Sequence, residues 1–296
     1  MIKITAFLLI FFTAIAAFCD DNNAAGAISG TVTWSAQTIT AVTSLDMAAN
    51  GIRLPTGRTY AETLLKTRYV NLIQPSLLEI QVDSSSTIGD LVNKGDLTLR
   101  QIEALALGAN SVAPSLSSDL RRIQATHTIS LASISASLLR HSRPIPVTRT
   151  LNPVSTAQYT GIIIIATDEL PIHGMRSATF AIPCLFPKIW DSEMNLIYER
   201  SMLETTNTTM VRYSPAANIF MNNPSGLSAD LQAIVGERPL RIFARGVFGI
   251  KPTDLIIDRS DALLIISSEE NRRLLSEGKV VFILEDTKLV YNINGE

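Results

Sequence analysis

Asp168, Glu169 and His173 lie within six positions of one another in YTGIIIIATDELPIHG, residues 159–174. Two carboxylates and an imidazole are the ingredients of general acid–base catalysis or of metal-assisted hydrolysis. Their spacing argues against both. Asp168 and Glu169 are adjacent, so they diverge in an extended chain, and no second histidine stands near to complete a metal site. The stretch reads as a polar turn that ends a buried strand, with Pro171 and Gly174 as turn residues; a hydrolase using Asp168, Glu169 and His173 is the competing expectation. A second carboxylate group, Asp254, Asp258 and Asp261, occurs in PTDLIIDRSDALL. It could do acid–base work, or it could cap a turn around Arg259. Arg238, Arg241 and Arg245 could meet an anion, or form a charged row on an edge strand beside Phe243.

Nucleophilic catalysis finds little support. There is no G-x-S-x-G elbow, and none of the three histidines, His127, His141 and His173, sits in a triad pattern. Cys184, in the apolar AIPCLFP, reads as a buried inert thiol. His127 falls in register with apolar neighbours and reads as a core residue. Neither phosphate-binding glycine pattern occurs. The expectation is therefore a non-enzymatic protein with no catalytic residue, metal or cofactor.

Composition sets the class. The chain has 296 residues, 46% hydrophobic and 18% charged, with a formal net charge of -2. That is globular, and without the basic excess of a nucleic-acid binder. The N-terminus carries Lys3, then an uncharged apolar run over residues 4–18, then two aspartates. The run is shorter than the roughly 20 residues of a spanning helix, so residues 1–18 are expected to be a secretory signal, with Ala14 and Ala16 placing the cut before Ala17. Cys19 offers an alternative as a lipidation site that would tether the protein to a membrane, although Phe18 is bulky for that pattern. Two cysteines do not make a disulfide framework.

The elements that must position these residues follow from periodicity. Residues 19–50 are expected to hold a flexible segment, over 22–30, and a first strand with a bulge or turn at Gln37-Thr38. Residues 57–84 read as a helix capped by Thr59 and Glu62, with Pro75 kinking or restarting it. A short turn over 87–93 and a helix capped by Thr98 and Gln101 follow. Residues 116–139 read as strand. The proline-rich 142–153 separates an N-terminal lobe, 51–150, from a C-terminal lobe, 151–296. In the second lobe, 159–166 is a buried strand, 187–200 a hairpin, 227–235 a helix stopped by Gly236, 240–247 a strand, 263–266 a short apolar run, 271–276 a helix capped by Ser267 and Glu270, and 279–284 a final strand. The fold class is α+β: a lobe of helices on an antiparallel sheet, then a mixed α/β lobe.

Taken in order, YTGIIIIAT, PCLFPKIWDSEMNLIYE, PLRIFARGVFGIKPTDLIIDRSDALLI and NRRLLSEGKVVFILED resemble exported bacterial envelope proteins related to the flagellum-associated lipoproteins of the FlgP and FlgT type, over residues 51–286. The resemblance implies a structural protein of the periplasm or the periplasmic face of the outer membrane, assembling with itself or with envelope partners, possible flagellar motor components included. A ligand- or carbohydrate-binding module is the other non-catalytic expectation; with 6% aromatic residues it lacks the usual aromatic walls.

Overall fold

The computed structural model describes residues 26–222 and 225–294. The segment expected to be a signal, with Ala16, Ala17 and Cys19, lies outside the described residues.

The N-terminal lobe contains β1 (Ala27–Thr33), β2 (Thr38–Asp46), α1 (Arg58–Leu78), α2 (Ile88–Asn93), α3 (Leu99–Leu107), β3 (Asn110–Ser111), β4 (Ser115–Leu116), β5 (Arg122–Ser130) and α4 (Leu131–Leu138). The turn expected at Gln37 joins β1 and β2, and Gln37 takes a φ of 57° there. The segment expected to be flexible is instead strand from Ala27 onward. β2 alternates strictly, with Ile39, Ala41, Thr43 and Leu45 buried, because one face of this antiparallel sheet meets helices and the other meets solvent. α1 covers the inner face with Ala61, Leu65, Tyr69, Ile73 and Leu77, one residue per turn.

Several local expectations change. α1 begins at Gly57 without a side-chain cap, and Glu62 pairs instead with Arg58 at 2.9 Å. Pro75 is carried inside α1, which ends only three residues later at Leu78, so little helix is left for it to disrupt. Thr98 and Gln101 form the capping box as expected, and Thr87 with Asp90 forms another. The expected strand over 116–139 turns helical at Leu131: Leu131, Ile134, Ser135 and Leu138 are buried, which is helical spacing.

The C-terminal lobe contains β6 (Ile162–Ala166), β7 (Leu170–Pro171), β8 (Ala178–Thr179), β9 (Ile189–Asp191), β10 (Leu196–Tyr198), β11 (Arg212–Pro215), α5 (Ala229–Val235), β12 (Leu240–Phe243), β13 (Gly246–Phe248), β14 (Asp254–Ile257), α6 (Arg259–Ile266), α7 (Glu269–Ser276) and β15 (Val280–Leu284). A parallel sheet runs β11-β15-β6-β12, and a mixed sheet runs β10-β9-β14-β13. Buried between parallel neighbours, β15 hides all five residues, which explains its unbroken VVFIL. The expected strand over 240–247 is two strands. The chain changes sheets between Ala244, whose N–H donates to Ile165 at 2.9 Å, and Arg245, whose N–H donates to Ile256 at 2.7 Å. The apolar run 263–266 belongs to α6, and α7 is capped by Ser268 rather than Ser267, whose hydroxyl accepts from the Val154 N–H.

Several strands were not foreseen: the short β3, β7 and β8, then β11, β14 and a last one. β16 (Val290–Asn294) follows β15 and returns to the first sheet, antiparallel to β1 and outermost in the order β16-β1-β2-β5-β3, with β4 also on β5. The lobes are fused elsewhere too. A single hydrophobic cluster contains Val32, Trp34, Tyr69 and Ile134 from the first together with Ile164, Tyr213, Leu255 and Phe282 from the second. Trp34 meets Tyr213 edge-on at 5.7 Å.

Candidate functional site

Asp168, Glu169 and His173 are all exposed, just beyond the carboxyl end of β6. The His173 ring rests edge-on to Phe248 at 5.8 Å. Among the described residues no three His, Cys, Asp or Glu side chains group as a metal site. His141 is bonded through Nε2 to the Leu203 carbonyl at 2.7 Å. Cys184 is buried, its backbone clamped by the Tyr213 hydroxyl, and burial pushes its thiol well above the usual range, so it stays unreactive.

The second carboxylate group is split. Asp258 and Asp261 stay near the start of α6. Asp258 pairs with Arg245 at 2.7 Å, and Asp261 is raised by burial and by the Asp258 charge. Asp254 is elsewhere, fully buried in β14. Its carboxylate accepts from the Lys188 N–H at 3.1 Å, Trp190 Nε1 at 3.3 Å, Thr253 Oγ1 at 3.2 Å and Ser84 Oγ at 3.1 Å. Ser84 comes from the first lobe, so this carboxylate joins the two. Backbone bonds flank it: Leu185 to Gln81 at 3.0 Å, Phe186 to Val82 at 2.8 Å and Lys251 to Ser84 at 2.9 Å. Burial raises its pKa, and the four donors oppose that rise without cancelling it. Asp191 is also fully buried, and burial alone would raise it. Asn195, Arg259 at 2.5 Å and the Glu193 N–H outweigh that and hold it below the usual range. Both are structural carboxylates: each knots segments together and leaves no oxygen for a substrate.

Two of the three arginines are committed in the same way. Arg241 donates to the Ser225 carbonyl at 2.6 Å and Arg245 holds Asp258, while Arg238 is exposed and its backbone N–H donates to Thr160 at 3.0 Å. β12 is an edge strand, and Phe243 on it is 63% exposed.

His127 differs. It is 6% exposed, on the inner face of β5, and its ring lies flat on Tyr69 with centroids 3.6 Å apart. Nε2 is 3.3 Å from the Thr43 hydroxyl. Burial lowers its pKa, which keeps the ring neutral. The Tyr69 hydroxyl is buried without a partner, and desolvation pushes its pKa up to about 12. Beside His127 a cavity of about 250 Å³ opens between the first half of α1 and the edge strand β3, with Thr59, Glu62 and Lys66 at its mouth. Thr43 was missed in the sequence, yet its position gives it away: a polar residue at an inward position of an alternating strand needs a buried partner.

Among the described residues no helix is long and apolar enough to cross a membrane. No curated protein matches the chain. Residues 25–137 match the family model for the N-terminal domain of Treponema pallidum Tp0624, and residues 161–286 match the model for its second domain. Lobe for lobe and in the same order, the chain is similar to these two domains.

Proposed function

We propose that the chain is a non-enzymatic, exported structural protein of the bacterial cell envelope. It works in the periplasm or on the periplasmic face of the outer membrane and assembles with copies of itself or with envelope proteins, the flagellar motor among them. The observation that carries this reading is the fusion of the lobes into one body. Among the described residues, a shared core, the Asp254–Ser84 knot and the returning strand β16 tie the lobes together against the hinge motion that closes a cleft on a ligand or substrate. A stiff body suits a building block. The apolar Phe243 on the edge strand β12 and the similarity to domains of a spirochaete protein add support.

The test is the mass of the purified mature protein in solution, by light scattering, together with electron cryotomography of a deletion strain. Self-association or lost envelope density supports the proposal. A strict monomer whose deletion leaves envelope and motor unchanged overturns it.

A further inference from the structure

An open sheet edge invites another strand, and proteins blunt such edges with charge, proline, irregularity or brevity. This fold blunts most of its edges. β3 and β4, which border β5, have two residues each. β12 carries the exposed Arg241, and β11 carries Arg212 and ends on Pro215. β10 is irregular in register between Leu196 and Tyr198, and β13 takes a bridge from Ile172 at Val247.

β16 has none of these devices. Its five residues, VYNIN, include no charge, proline or glycine. Its register on β1 runs unbroken from Ser29 opposite Asn294 to Thr33 opposite Val290. One bond orients the strand: the Trp34 N–H donates to the Leu289 carbonyl at 2.9 Å. Bonded and non-bonded positions alternate along an antiparallel pair. Leu289, Tyr291 and Ile293 therefore turn their backbone groups toward β1, and Val290, Asn292 and Asn294 turn theirs outward. Among the described residues no strand or loop answers this outward row. Val290, Tyr291 and Asn292 are exposed.

We propose that β16 pairs with β16 of a second copy of this chain, antiparallel about a twofold axis at Asn292. The proposal rests on the assembly reading and names its surface. The register argues for a second copy. Asn292 falls opposite itself, so two side-chain amides meet, each with donors and an acceptor. Val290 falls opposite Asn294. Tyr291 falls opposite Ile293, and an aromatic beside a β-branched side chain is a favourable cross-strand pair. No charge meets a charge along residues 289–294, whereas the same pairing at β12 would gather two Arg241 side chains on one short seam. Each outward row supplies the donors and acceptors that the other lacks, and the two first-lobe sheets become one continuous sheet.

The experiment is sedimentation equilibrium of the purified mature protein. It should show a dimer with a dissociation constant of roughly 10 μM, weak because the seam is small. Asn292→Lys sets two cations opposite each other at the axis while keeping an exposed position exposed, and should weaken the dimer by about tenfold or more. Hydrogen exchange gives a readout that misfolding would not mimic. The Val290 and Asn292 amides should gain protection as wild-type concentration rises, and should stay unprotected in Asn292→Lys. Phe243→Ser, on the edge of β12, should leave the dimer intact. A monomeric wild type overturns the inference, and it overturns the assembly role as well only if deletion leaves the envelope unchanged. An oligomer that survives Asn292→Lys, that Phe243→Ser dissolves, or that leaves exchange at those two amides unmoved also overturns the inference, while the assembly role stands on another surface.

Discussion

Asp254 and His127 are both buried polar residues on inner strands, one in each lobe, and they have opposite fates. Asp254 meets four donors from three segments. His127 meets one hydroxyl and a ring face, and borders a cavity. Burial alone therefore does not mark a functional group. What separates a knot from a site is whether its hydrogen-bonding capacity is filled from within the protein.

Asp254→Ala is the strongest challenge to this distinction. It leaves the Lys188 N–H, the Trp190 indole and the Ser84 hydroxyl without their acceptor at the seam. Urea unfolding should show a loss of about 3–4 kcal/mol, and a loss below about 1 would mean that the knot is not what joins the lobes. The same residue has a pH signature. Its folded-state pKa lies above the ordinary aspartate value of 3.8, so its contribution to stability is full below that value and is lost as pH rises through the raised one. Asp254→Asn should flatten the stability profile across that window.

Gly249→Ala strikes the seam sterically. Gly249 has a φ of +112°, and a Cβ there would stand 2.3 Å from the Ser84 Cβ. We expect a loss of about 2–3 kcal/mol, read by thermal unfolding, and a smaller one if the seam is pliable. Tyr69→Phe probes the other region with the opposite sign. It removes a buried hydroxyl that has no partner and keeps the stack on His127, so stability should rise by about 1 kcal/mol in calorimetry. A loss instead would reveal a partner for that hydroxyl and weaken the distinction. Arg245→Ala is the surface control. Its pair with Asp258 is 62% and 38% exposed, and its removal should cost about 0.3 kcal/mol in denaturant melts.

Much of the fold was legible where local rules decide. The box at Thr98 and Gln101, the alternation of β2 and the apolar β6 and β15 all carry their structure in a short window. Reading failed where distant contacts decide. Residues 131–138 are rich in small and apolar side chains that satisfy a period of two nearly as well as 3.6, and the helix wins because Leu131, Ile134 and Leu138 then reach the core together. Thr59 and Glu62 have the spacing of a box, but the turn at Gly57 starts α1 earlier and gives Glu62 to Arg58. VYNIN carries too few apolar residues to announce a strand, and its partner is at the other end of the chain. The turn at Gly174 was legible, and so was the core position of His127, whereas Pro171, expected as a turn residue, lies in β7 opposite Ala178. The cavity beside it was not, because it depends on how far the first turns of α1 stand off from β3.

The outer strand β16 has a consequence for the order of folding. Ser29 pairs with a residue about 265 positions later, a loop whose closure is entropically costly until the intervening lobe has compacted and brought its ends together. β1 thus waits for a partner synthesised far later. A chain cut short before Val290 would present β1 as a bare edge, ready to pair with another chain. Until synthesis has passed residue 294, β1 keeps one edge unpaired.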